Sequence, residues 1–104
     1  MRKISILEQQ LLDEYFRCIR NRDVQMAAID DLPKGYISRK KRSGKTYSYL
    51  QWRDGDKVYS QYIKPDDLAS IEKKIEARKN WAESVKQLEK NIRQIEKVLV
   101  LRNS

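Results

Sequence analysis

The chain has no histidine, one cysteine, two prolines, three glycines and no apolar run approaching the roughly 18 residues that a membrane span requires. Without histidine the usual zinc ligand sets cannot be assembled, and the lone thiol of Cys18 has no partner for an internal disulfide. Cys18 is therefore expected to be a small buried apolar residue rather than a reactive thiol. The opening MRKISILEQQ turns acidic and polar too early for a secretory signal, so a cytoplasmic location is expected. Only 39% of the 104 residues are apolar, which suits a single domain whose core is thin or drawn out along helices. Catalytic chemistry is equally short of material. There is no glycine-rich phosphate loop and no converging set of nucleophile and base. Asp54 and Asp56 flank a turn glycine and lack the further oxygens that a divalent ion needs. Neither an enzyme nor a cofactor or metal is expected.

What is present is positive charge in one place. Residues 34–64 carry nine Lys or Arg against two Asp, or +7 of the formal +8. Residues 1–33 hold five basic and six acidic groups, and residues 65–104 hold nine and seven, so the flanks nearly cancel. The same stretch contains five of the six tyrosines and one of the two tryptophans. Cations neutralise phosphates and rings stack on bases, so this composition points to a surface for polyanions.

Three segments follow from periodicity. Over 5–31, Ile4, Leu7, Leu11, Tyr15, Cys18, Met26 and Ile29 recur at helical intervals, with Arg22 in one slot. Ser5 and Glu8 form a potential capping box, and Leu32-Pro33-Lys34-Gly35 ends the helix. Over 35–64 the period becomes two, which predicts a three-stranded antiparallel meander with strands near 35–41, 45–53 and 57–64. Asp54-Gly55 is the stronger hairpin signal, and Ser43-Gly44 reads as a weaker turn or a longer loop. From Pro65 the helical period returns over 66–102, with Leu68, Ile71, Ile75, Ala82, Val85, Leu88, Ile92, Ile95 and Leu99 on an inward stripe and Arg78 in one slot. At about 1.5 Å per residue this helix reaches roughly 50 Å and needs a helical partner. The fold class expected is thus α+β, a helix, a meander and a long helix, with the two helices packed as an antiparallel coiled-coil-like hairpin. Its apolar tail, Ile95 to Leu101, outruns the first helix, which makes a homodimer through the C-terminal helix a reasonable expectation.

Alternation assigns the strand residues to faces. One face takes Ile37, Arg39, Lys41, Thr46, Ser48, Leu50, Trp52, Lys57, Tyr59, Gln61 and Ile63; its aliphatics suit packing on a helix. The other takes Tyr36, Ser38, Lys40, Tyr47, Tyr49, Gln51, Arg53, Val58, Ser60, Tyr62 and Lys64. Two candidate features emerge. Arg39, Lys40, Lys41, Arg42 and Lys45 place five cations around the first turn as phosphate contacts, with protection of an edge strand as the plainer role. Tyr47, Tyr49, Arg53 and Tyr62 form a potential stacking platform, with cross-strand pairing within a small sheet as the plainer role.

The run Leu32-Pro-Lys-Gly-Tyr-Ile-Ser-Arg-Lys-Lys, the hairpin Gly44-Lys-Thr-Tyr-Ser-Tyr-Leu-Gln-Trp-Arg-Asp-Gly-Asp-Lys-Val and the strand Ser60-Gln-Tyr-Ile-Lys, followed by a charged helix containing Ile75-Glu-Ala-Arg-Lys, resemble a widespread group of small uncharacterised bacterial and phage proteins. In that group an LPKG lead-in precedes a YYYLQWREGGKV hairpin and a KYIK strand. The resemblance covers nearly the whole chain and implies no activity. In topology, three basic strands followed by a helix also resemble the arm-type DNA-binding domains of tyrosine recombinases, which implies DNA reading by the sheet face; the long helices at both ends depart from that pattern. The leading expectation is a non-catalytic binder of DNA or RNA. A rival is a phage or mobile-element inhibitor, anti-CRISPR-like, that docks on a nucleic-acid enzyme or its guide RNA. A third is a coiled-coil adaptor capped by the meander.

Overall fold

The computed structural model describes residues 4–103, with side chains through residue 100. The order is α1 (Ile6–Asp30), β1 (Tyr36–Arg42), β2 (Lys45–Asp54), β3 (Lys57–Ile63) and α2 (Pro65–Asn103). This is the expected α+β order, with boundaries displaced by one residue in most places. None of the described helices is long and apolar enough to cross a membrane.

Two compact units are formed, Met1–Ile29 with Trp81–Ser104, and Asp30–Asn80. In the first, α1 packs antiparallel on the C-terminal part of α2. Ser5 caps α1: its Oγ accepts from the Glu8 N–H at 3.1 Å and donates to Glu8 Oε1 at 3.4 Å. Leu11 and Glu14 border the same hollow as Asn91, Ile95 and Val98, and Cys18, Val85 and Ile92 are buried. In this unit Ile4, just before α1, and Ile6, Leu7, Val98 and Val100 are exposed. Of the apolar tail residues, Val98 and Val100 are exposed, whereas Ile95 and Leu99 are half-buried and the Leu101 side chain lies outside the described residues.

Several stripe positions differ from the sequence expectation. Ile4, Leu7 and Met26 are exposed. The seam instead continues from Cys18 through half-buried Arg22 and Gln25 to Ile29, so the alternation of four and three runs on through polar residues. Met26 is simply the nearest apolar residue to a seam slot that Gln25 fills. Gln25 Oε1 is buried there without a hydrogen-bond partner among the described residues. On α2, Ala82 is exposed, its side chain too short to reach the seam.

Cys18 is only 3% exposed, as expected of a structural residue. Burial pushes its thiol pKa up, and the thiol donates to Glu14 Oε1 at 3.6 Å while the Glu14 charge adds to the shift and Arg17 opposes it. The protonated form therefore persists at neutral pH. A thiol-specific reagent at pH 7.5 should modify Cys18 at least about 100-fold more slowly in the native protein than in denaturant, because reaction awaits opening of the helix pair. Equal rates would show that the thiol is accessible.

In the second unit, the sheet order is β1-β2-β3, antiparallel throughout. The register pairs Ile37 with Leu50, Ser48 with Ile63 and Trp52 with Tyr59, so the aliphatic face expected from alternation is the one formed. Ile63 is 3% exposed, and Ile37, Leu50, Trp52, Leu68, Ile71 and Ile75 are half-buried. Two polar ties bind this unit together. Arg39 donates to Glu72 Oε1 at 2.8 Å, and Arg78 donates to the Leu32 carbonyl at 2.7 Å. Arg78 occupies the apparent gap in the α2 stripe because its guanidinium serves the connection between α1 and β1. Pro65 opens α2, where the Asp67 N–H reaches the Lys64 carbonyl at 2.9 Å.

Candidate nucleic-acid interface

The turns fix where the cations point. Arg42 pairs directly with Lys45, and Ser43 and Gly44 between them have φ of +51° and +78°, the positive pair of a type I′ turn. The turn read as weaker is thus a tight two-residue connection. In the second hairpin Asp54 pairs with Lys57, so the central residues are Gly55 and Asp56, and only Gly55, at +62°, has positive φ. That pattern is the type II′ signature, with glycine at the first central position. It lets β2 run one residue further than expected, through Asp54.

With both registers set, the two sides of the sheet differ sharply in charge. The helix-facing side carries Arg39, Lys41 and Lys57 with Asp54, and Arg39 is already paired with Glu72. The opposite side carries Lys40, Arg42, Lys45 and Arg53 in the strands, and Lys64 follows in the alternation of β3; no carboxylate shares that side. Arg42 and Lys45 form one cross-strand row. Lys40 and Tyr47 form the next, and Lys64, one residue past the end of β3, continues the alternation on that side. Rows two residues apart are about 7 Å from each other and neighbouring strands about 5 Å, so these four cations sit side by side in a compact pad. Arg53 lies at the far end of β2.

Tyrosines fill the space between. Tyr62 packs edge-on against Tyr49, with centroids 5.8 Å apart and planes at 69°, and lies 6.3 Å from Tyr47 at 53°. Lys40 Nζ stands 5.4 Å from the centre of the Tyr49 ring. Tyr47 and Tyr49 are half-buried, while Tyr62 keeps 47% of its surface exposed. The Tyr36 hydroxyl donates to Gln51 Oε1 at 2.7 Å. On the other side Trp52 and Tyr59 stack at 5.6 Å and 15°.

The nine residues singled out in the sequence therefore separate. Lys40, Arg42, Lys45, Tyr47, Tyr49, Arg53 and Tyr62 share one face; Arg39 and Lys41 lie on the other. Lys64 and Tyr36 belong with the first group and were outside the original nine, although the period-two alternation already placed them there. The link of Arg39 to Glu72, 33 residues along the chain, has no local sequence signal.

No curated protein and no solved structure matches the chain. One protein family does, over residues 2–73, a span that takes in α1, the whole meander and the first residues of α2. Since that is more than half of its length, the chain belongs to the family defined by the domain of unknown function DUF6788.

Proposed function

We propose that this protein is a non-catalytic nucleic-acid-binding module that presents the tyrosine-bearing face of its meander to the phosphate backbone. The observation that carries this reading is the segregation of charge: Lys40, Arg42, Lys45, Arg53 and Lys64 on one side of a three-stranded sheet, with no carboxylate among them. Like charges held this close repel, and a polyanion relieves that repulsion while releasing its own counterions. The resemblance to recombinase arm-type domains, which reaches the order of strands and helix, agrees with this use of a sheet.

The test is fluorescence anisotropy with labelled oligonucleotides of mixed sequence between 50 and 200 mM salt. Five phosphate contacts give a slope of log K against log salt of about −4.5, or roughly a 500-fold loss of affinity across that range. Absent or salt-independent binding would sink the reading. The same cations would also suit an acidic protein surface; a partner recovered by pull-down after exhaustive nuclease treatment, with no oligonucleotide binding, would assign them to that role instead.

A further inference from the structure

Resting on that reading, we infer that the preferred ligand is a double-stranded nucleic acid held by its phosphates, rather than a single strand held by base stacking. The argument starts from the rings. A stacking platform needs tyrosine faces open to solvent, since each base must lie flat on one. Here Tyr62, itself 47% exposed, lies against the other two rings: it meets Tyr49 edge-on at 5.8 Å and approaches Tyr47 at 6.3 Å, and Lys40 stands over Tyr49. Tyr47 and Tyr49 are half-buried by this packing. Opening the cluster to admit bases would forfeit these edge-on and tilted ring contacts.

The layout of the cations leads to the same ligand. A groove that follows a single strand sets its cations in file along the backbone. The pad formed by Arg42 and Lys45 in one row, with Lys40 and Lys64 in the next, is instead spread across the sheet, from β1 through β2 to the residue that follows β3. A pad of four charges in two rows is matched by a partner of high charge density, and a duplex offers one negative charge per about 1.7 Å of its axis, twice the density of either strand alone. The other polar residues of this face, Ser38, Gln51 and Ser60, carry small hydrogen-bonding groups suited to sugar and phosphate oxygens.

The unmodified chain tests this directly. Twenty-base-pair DNA and RNA duplexes are compared, at matched nucleotide concentration and 100 mM salt, with a single strand of the same composition that cannot form a hairpin. Expected is at least a tenfold tighter Kd for a duplex than for the single strand, and the DNA and RNA arms identify which duplex is preferred. A single strand bound as tightly as either duplex, or more tightly, overturns the inference while leaving nucleic-acid binding intact. Failure to bind any of the three overturns the proposed function itself.

Discussion

Exchanging Lys40, Arg42 and Lys45 together for glutamate should reduce affinity for a DNA duplex by about 500-fold or more at 0.1 M salt. The size follows from counterion release: each phosphate contact contributes about 0.9 log unit at 0.1 M relative to 1 M, so three lost contacts remove roughly 2.7 log units before the new repulsion is added. The salt slope should flatten by about the same 2.7, and that signature separates loss of phosphate contacts from general misfolding. Misfolding is not expected, because all three side chains are exposed and the opposed pair at 42 and 45 is like-charged both before and after the exchange. The control lies on the other face. Arg39→Ala severs the exposed pair with Glu72, a contact worth at most about 1 kcal/mol of stability, and should leave affinity within about threefold. Were Arg39→Ala to cost as much as the triple exchange, the division of function between the two faces would fail.

Gly35→Ala should destabilise the protein by about 3 kcal/mol or more in urea unfolding, the largest effect expected of any single methyl group in the meander. Gly35 has φ of +111°, a conformation that L side chains rarely adopt. A Cβ built there falls 2.1 Å from the Gln51 backbone oxygen and 3.0 Å from both the Gln51 carbonyl carbon and Trp52 Cβ. The obstacle is backbone of the central strand, which cannot retreat without disturbing the pairing of Tyr36 with Gln51 and the hydrogen bond between their side chains. By contrast, a Cβ at Gly44 or Gly55 meets nothing within 4 Å, so alanine there costs only the positive φ, about 1–2 kcal/mol. A Gly35→Ala variant no less stable than Gly44→Ala would show that β1 approaches β2 differently at its start.

Much of this arrangement was open to reading from local pattern. Helical 3–4 spacing, broken only at Arg22 and bounded by Ser5 and Pro33, marks α1, and Pro65 with Asp66 and Asp67 marks the start of α2, because caps and dipoles act within one turn. The faces of the sheet were legible for a different reason: a shift of register by two residues leaves each side chain on its own side. Turn chemistry was less legible. Serine at positive φ is uncommon, which made Ser43-Gly44 look weak, and only the pairing of Asp54 with Lys57 makes Gly55-Asp56 the centre of the second turn. What pattern could not supply was tertiary. The link of Arg39 to Glu72, the burial of Gln25 in place of Met26, and the packing of Tyr62 against Tyr49 each depend on groups brought together from different elements.

The order β1-β2-β3 leaves two strand edges with very different protection. β1 carries Arg39 to Arg42 in succession, and such a row of cations repels an incoming strand. Between Lys57 and Lys64, β3 offers six uncharged residues without proline, Val58-Tyr-Ser-Gln-Tyr-Ile63, most of them exposed. That is the composition of a segment prone to intermolecular strand addition. The overall charge of +8 is then what keeps copies of the chain apart, and its influence fades as the Debye length shrinks to about 3 Å at 1 M salt. The ionic conditions that strip this protein from a polyanion are therefore also those in which its β3 edge is least guarded against its own kind.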